Sequence, residues 1–255
     1  MSINMTTNRT LRKVPEIILL FWAVKLLTTA MGEATSDFFV LKYNPYLVVF
    51  LGGIALALAL LIQFYVNHYN AWAYWLCVSM VAVFGTMAAD SLHIQLHVPY
   101  IASSIFFGIT LITIFILWHK SENTLSIHSI ITPRREMFYW VTVLATFALG
   151  TATGDLTAIR LGLGYFSSAL LFGGLIALPA IGYFALGLNE IFCFWLAYIL
   201  TRPLGASFAD WMSKSRAVGG LGWGDGRVAI ILTIIIIGFV GYLAFSHKDI
   251  KPRQL

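Results

Sequence analysis

The sequence predicts an all-α membrane protein. Eight transmembrane helices are arranged as four parallel two-helix repeats, with pseudo-fourfold or pseudo-twofold symmetry about the membrane normal. Three observations predict it. Of the 255 residues, 59% are hydrophobic and only 11% are charged, where a soluble domain carries roughly a quarter charged residues. The apolar runs reach the length that crosses a bilayer. A frame of the form [FY]-W-x9-G-x3-small-D also recurs four times: Trp22, Gly32, Ser36 and Asp37; Trp75, Gly85, Ala89 and Asp90; Trp140, Gly150, Gly154 and Asp155; Trp195, Gly205, Ala209 and Asp210. Each tryptophan follows an aromatic residue, Phe21, Tyr74, Tyr139 or Phe194. Self-similarity at this spacing marks an internal repeat.

The helices follow in order. The first is expected over about 15–36 and the second over about 45–66. The polar link Asn67–Asn70 leads to a third at about 71–91 and a fourth at about 99–118. A polar loop from His119 to Arg135 divides the chain into halves. The fifth is expected at about 137–156 and the sixth at about 163–185; Glu190 opens the seventh, which reaches about 210. The glycine-rich 219–226 segment, read as a flexible turn, precedes the eighth at about 227–245. The whole is one integral membrane domain, 1–255, with repeats at about 15–66, 71–118, 137–185 and 190–245. Arg9, Arg12 and Lys13 ahead of an apolar run imitate a signal peptide, but the same helix recurs deeper in the chain, so the first copy belongs to the fold.

Orientation follows from lysine and arginine. With an even number of spans, Arg9, Arg12, Lys13, Lys120, Arg134, Arg135, Lys248, Lys251 and Arg253 share one side, and Lys42, Arg160, Lys214, Arg216 and Arg227 the other. The richer side, which holds both termini, is expected to be cytoplasmic. The net charge of +5 reports this bias and does not point to nucleic acid. The chain lacks a GxxxxGK[ST] phosphate loop, which argues against ATP-driven pumping. Cys77 and Cys193 lie in apolar runs and read as packing residues.

On a helix, positions 0, 4, 7, 11 and 15 of the repeat share a face. That face carries Trp22, Leu26, Thr29, Glu33 and Asp37 in the first copy, and Trp75, Ser79, Ala82, Thr86 and Asp90 in the second. The third copy has Trp140, Leu144, Phe147, Thr151 and Asp155, and the fourth Trp195, Ile199, Arg202, Ala206 and Asp210. The glycines and small residues form an adjoining stripe suited to close helix packing in lipid. The four odd helices are therefore expected to form an inner ring with four aspartates at one level. The tryptophans, about 22 Å away along a regular helix, are expected to anchor at the opposite interface. Each aspartate could instead cap the turn that follows it.

Departures from the frame carry the chemistry. Lys25, Glu33 and Arg202 fall inside spans, where charge is costly and marks paired networks or functional interiors. Glu33 reads either as the partner of Arg202 or Lys25, or as a proton acceptor beside a cation. Pro203 is expected to kink the seventh helix and free carbonyl oxygens. Asp90, His93 and His97 would share a face if helical, a weak transition-metal set; a polar loop is the simpler reading. His68, His119, His128 and His247 fall in loops or tails. Glu16, Glu136 and Glu190 read as helix-dipole acids, and Asp225 as a further weak cation contact.

The four W-x9-G-x3-small-D hairpins resemble a bacterial inner-membrane family of uncharacterised membrane-anchored proteins, built from four two-span repeats of unknown function with one tryptophan in each. The resemblance covers about Pro15 to Phe245. It implies eight spans in a bacterial inner (plasma) membrane and brings no catalytic residues. The leading functional expectation is a secondary transporter of a cation, a divalent metal of the Mn, Mg or Ca type, with proton-coupled export as the preferred direction. Carboxylates, hydroxyls and kink carbonyls are hard oxygen ligands. Asp37, Asp90, Asp155, Asp210 and Glu33 would hold the metal, which is substrate and not cofactor. Lys25, Glu33, Thr86, Thr151 and Arg202 would serve transport or coupling. The alternatives are a carrier of a small organic anion bound by Lys25 and Arg202, or a non-transporting scaffold. No nucleophile–base constellation suggests an enzyme. The expected partners are the lipid bilayer and a small ion or molecule, with room for a homo-oligomer.

Overall fold

The computed structural model describes residues 12–250. Among them the secondary structure is all helical: α1 (Leu19–Lys42), α2 (Pro45–Tyr65), α3 (Ala71–Ile94), α4 (Tyr100–Glu122), α5 (Pro133–Asp155), α6 (Tyr165–Leu175), α7 (Ala177–Leu186), α8 (Glu190–Ser213) and α9 (Asp225–Ser246). The starts are written locally. Side chains of Asn44, Asn70, Thr132 and Asn189 accept from the first free backbone N–H groups of α2, α3, α5 and α8, the usual way such orphan donors are satisfied. Pro45 and Pro133 stand in the first turn, where a missing N–H costs nothing. Helices α6 and α7 form one rod interrupted at Ile176. Pro179 has no N–H to offer the Leu175 carbonyl, which accounts for the break.

Among the described residues, seven rods are long and apolar enough to cross a membrane, the architecture of a multi-pass membrane protein. The exception is α1, which carries Lys25, Glu33, Asp37 and Lys42. Lys25 and Glu33 are buried, so those two charges face protein. The seven divide into two classes. Of the most apolar window, 72%, 67% and 50% is buried in the rods of α3, α5 and α8, against 17% to 33% in those of α2, α4, α6–α7 and α9. The first helices of the repeats are thus inner and the second helices outer, as the periodicity predicts.

Helices α1, α3, α5 and α8 pack in a closed cycle, each against the next and α8 against α1. Glycine sets the junctions. A Cβ on Gly32 would lie 2.5 Å from that of Ala82, and one on Gly85 2.8 Å from that of Phe147; on Gly150 it would run into Arg202, and on Gly205 into Thr29. Ala82, Phe147, Arg202 and Thr29 each stand seven residues after the tryptophan of their own repeat. The same two repeat positions therefore meet at all four junctions.

The outer helices differ from the expected hairpin units. Each packs mainly on the inner helix of the following repeat, α2 on α3, α4 on α5, α6 on α8 and α9 on α1, and much less on its own partner. The repeat in sequence is thus offset by one helix from the packing unit in space, and α9 returning to α1 closes the bundle.

The tryptophans also differ from expectation. Trp75, Trp140 and Trp195 are buried and Trp22 is half-buried. The aromatic residue before each tryptophan meets the tryptophan of the next repeat: Phe21 with Trp75 at 5.6 Å between ring centroids, Tyr74 with Trp140 at 5.6 Å, Tyr139 with Trp195 at 6.1 Å, and Phe194 with Trp22 at 5.7 Å. The [FY]-W pair is a cyclic plug between helices, not an interfacial anchor. Such ring pairs add to simple area burial.

Below the plug, the described chain ends and the mid-chain loop meet. Lys13 N–H donates to Ile130 O, Glu16 N–H to Asp249 O and Tyr69 N–H to Arg12 O. Lys13 Nζ donates to Glu136 Oε2 at 2.7 Å, and Gln63 to Glu136 Oε1 at 3.0 Å. Glu136 is fully buried, so it is a tie between segments more than the dipole acid expected. Glu190 is exposed, 3.4 Å from His128, and Glu16 pairs with Arg12. Arg9 of the signal-like basic segment, Lys251 and Arg253 lie outside the described residues.

Candidate functional site

The ring interior is filled by side chains that break the repeat. Arg202, on α8, has no exposure. Its Nη2 donates to Glu33 Oε2 on α1 at 2.5 Å, to Thr151 Oγ1 on α5 at 2.7 Å, and to Thr86 Oγ1 on α3. One guanidinium thus touches all three other ring helices. Glu33, Thr86 and Thr151 occupy the same repeat position, eleven after the tryptophan. Glu33 is Arg202's ion-pair partner, one of the two expected. Pro203 sits inside a continuous α8, its ring against Gly150 and Gly154.

Lys25 lies in the layer between this pair and the aromatic plug. It is 1% exposed. Its Nζ sits 3.8 Å from the ring centroid of Phe147 and 4.3 Å from that of Tyr198, with no hydrogen-bond partner. Aromatic faces attract a cation by their quadrupole, and here two of them stand where a buried ammonium would ordinarily have a carboxylate.

At the far end of the ring stand the aspartates. Oxygen atoms of Glu33, Asp37 and Asp210 lie within 4.8 Å of one another, a group able to hold a metal ion. Ser36 Oγ donates to Asp90 at 3.4 Å, which ties the first two copies together. Asp155 is followed by a turn of π-helix, Leu156–Arg160, so α5 widens immediately beyond it. Such π-turns recur at functional sites.

Lys214 was expected only as a loop charge. Its Nζ donates to Asp37 and to Asp225 Oδ1, the latter at 3.3 Å, and stands 3.7 Å from Asp210 Oδ1. Burial works against the Lys214 charge, but Asp37, Asp210 and Asp225 outweigh it and hold the ammonium above its ordinary range. The signal for this was present: Asp210 and Lys214 are four apart, the spacing that brings side chains together on a helix.

The 219–226 loop, expected to be flexible, is what fixes Lys214. N–H groups of Leu221, Gly222, Trp223 and Gly224 donate to the carbonyls of Trp211, Lys214, Met212 and Ser213. Four carbonyls at the end of α8 are thereby satisfied. Gly220 has no room for a Cβ against the Lys214 carbonyl, and Gly222 and Gly224 have φ of 79° and 84°, which favours glycine.

The histidine set is not assembled. Helix α3 ends at Ile94, and His97 is exposed with a left-handed φ of 53°, so it leaves the face shared with Asp90. His93 is engaged by Val98 O at 2.9 Å, by Ser103 Oγ at 3.3 Å and by the Tyr100 ring. Cys77 and Cys193 are free and buried. A cavity of about 620 Å³ lies away from the acids, between the start of α1, the 125–128 segment, α7 and α8, with Trp22, Pro179, Phe184 and Phe194 in its wall. None of the clustered carboxylates lines it.

Comparison with known proteins agrees with the repeat. No curated protein and no solved structure matches the chain. A family model described as Repeat of Unknown Function (DUF347) matches four consecutive times, at residues 20–69, 73–124, 138–187 and 193–249. The four matches cover most of the chain and coincide with the four inner–outer helix pairs, so the protein belongs to the family built from the Repeat of Unknown Function (DUF347).

Proposed function

We propose that this protein is a secondary transporter of a cation, with a divalent metal of the Mn, Mg or Ca type as substrate. The observation that carries the reading is the acidic end of the ring. Glu33, Asp37 and Asp210 converge within 4.8 Å, and the Lys214 ammonium is drawn among Asp37, Asp210 and Asp225. Lys214 acts there as a tethered cation, and an arriving metal replaces it. Carboxylate oxygens suit hard divalent ions. Asp90 and Asp155 supply further negative charge at the same level, and Thr86 and Thr151 neutral oxygens one layer deeper.

The helix arrangement supports eight spans, with α1 as the eighth, in an inner (plasma) membrane. The repeated junctions support a pseudo-fourfold axis along the membrane normal, the relation expected of parallel repeats. On the lysine and arginine bias the aromatic plug faces the cytoplasm and the acids face outward. The filled interior favours a carrier that changes conformation over an open pore. The organic-anion alternative rests on Lys25 Nζ and on Arg202 Nε and Nη1, which have no hydrogen-bond partner, while Arg202 Nη2 already serves Glu33 and two threonines.

The test is flux into proteoliposomes loaded with a metal-sensitive dye, run with Mn²⁺, Mg²⁺ and Ca²⁺, with and without a pH gradient. At least one metal should move, and Asp37→Asn/Asp210→Asn should reduce its rate by an order of magnitude or more, as loss of two charged ligands implies. No flux of any of the three overturns the reading.

A further inference from the structure

The ring interior holds two basic side chains, Lys25 and Arg202, and one nearby carboxylate, Glu33. Arg202 has Glu33. Lys25 has only Phe147 and Tyr198. Both cations address the same ring: Lys25 Nζ and the Arg202 guanidinium carbon lie 3.8 Å and 5.3 Å from the Phe147 centroid. Glu33 is shared, since its carboxylate belongs both to the Arg202 pair and to the group formed with Asp37 and Asp210. A metal ion that draws Glu33 toward the aspartates takes away Arg202's counter-charge. Two uncompensated cations then face one aromatic ring in a dry interior, where like charges interact strongly. Arginine does not release a proton in proteins; lysine does.

We propose that Lys25 is the proton-exchanging group of the transporter, releasing a proton when Glu33 turns to a metal ion and regaining it when the metal leaves. This rests on the cation-site reading above. In the release step an Nζ–H bond breaks, its electron pair stays on nitrogen, and the proton passes to water on the plug side. The reverse step takes a proton from water on the acidic side and restores the ammonium as the metal leaves there, so metal and proton move in exchange.

The neighbouring groups suit this role. The titratable or charged residues of the helices packed on α1 are Tyr74, Cys77, Asp90 and His93 on α3, Glu190, Cys193, Tyr198, Arg202 and Asp210 on α8, and Asp225, Arg227 and Tyr242 on α9. Of the helix packed more lightly on it, α2, the ionisable residues are Tyr46 and Tyr65, at its two ends. Across the ring, α5 adds Arg134, Arg135 and Glu136 at its start, then Tyr139 and Asp155. Tyr198 is in contact with Lys25. Its hydroxyl lies near that of Tyr139 without a well-formed hydrogen bond. Tyr139 and Tyr74 share a hydrogen bond of 2.5 Å. The Tyr74 ring meets Tyr69 at 5.8 Å, and Tyr69 donates to Asp249 where the chain ends meet. A succession of tyrosines thus leads from Lys25 past the plug to Asp249, with hydroxyl hydrogen bonds at Tyr139–Tyr74 and Tyr69–Asp249.

The experiment adds Mn²⁺ to the purified full-length protein in weakly buffered detergent and counts protons released with a pH dye, with bound metal measured in parallel. Wild type should release protons on binding. Lys25→Met and Lys25→Arg should both bind Mn²⁺ and each release about one proton fewer per metal, the linkage expected when one site no longer titrates. Tyr139→Phe should leave the count intact and slow the release at least several-fold. If the Lys25 variants bind Mn²⁺ with the wild-type proton count, the coupling role falls while the cation site stands. If wild type binds no Mn²⁺, the cation site falls and takes the coupling with it.

Discussion

The two ends of the inner ring are built from one repeat and have opposite chemistry. At one end, four [FY]-W pairs interlock in a cycle, each ring against the next copy's tryptophan. At the other, two of the four repeat aspartates, Asp37 and Asp210, converge with Glu33 and Lys214. The first end is uniform, because all four copies supply the same pair. The second is not, because Lys214 comes from one copy and Glu33 from another. Between them lie the residues that no other copy has, Lys25 and Arg202. The repeat makes a sealed scaffold, and individuality in single copies makes a site.

The largest effect tests the scaffold. Gly205→Val places a branched side chain where Thr29 already stands. Overpacking costs about 1–3 kcal/mol or more in a well-packed core, and here it opens a ring junction. Detergent-solubilised Gly205→Val is expected to lose most of its monodisperse folded peak in size-exclusion chromatography. Gly174→Val, where a Cβ meets nothing within 4 Å, is the control that should keep it.

Next comes the centre. Arg202→Met leaves Glu33 buried without its partner, and removal of one partner of a buried pair costs about 3–5 kcal/mol. The variant should unfold at a markedly lower temperature. Glu33→Gln/Arg202→Met removes both charges and should recover much of that loss. A double variant as unstable as the single one would mean that the ring depends on the guanidinium's threonine bonds and not on the charge pair.

The smallest effect sharpens the acidic end. Lys214→Met removes the tethered cation from Asp37, Asp210 and Asp225. If the ammonium competes with metal, Mn²⁺ affinity should rise about tenfold, roughly 1.4 kcal/mol, with little change in fold. Lower affinity would make Lys214 an organiser of the carboxylates and not a competitor.

Much of this was legible in the chain. The spacing of tryptophan, glycine and aspartate announces the repeat, and helical periodicity separates inner from outer helices. Glu33 and Arg202 stand out because charge inside an apolar span needs a partner, and they find each other. Three things were not legible. The burial of the tryptophans depends on contacts between successive copies, which no local pattern reports. The packing of each outer helix on the following repeat is likewise long-range. Lys214 looked like a loop charge because the 219–226 segment reads as flexible glycine, whereas its N–H groups bind the end of α8 and carry the lysine back over the acids. The histidines misled in the opposite sense: their spacing fits a helix that stops at Ile94.

The central claim is that the acidic end of the ring holds a metal ion. Isothermal titration of Mn²⁺ into the purified protein, wild type beside Asp37→Asn/Asp210→Asn, tests it most directly. Saturable binding to wild type, lost in the double variant while Asp225→Asn retains it, is the predicted result. Equal binding to wild type and the double variant, or none to either, would contradict the claim.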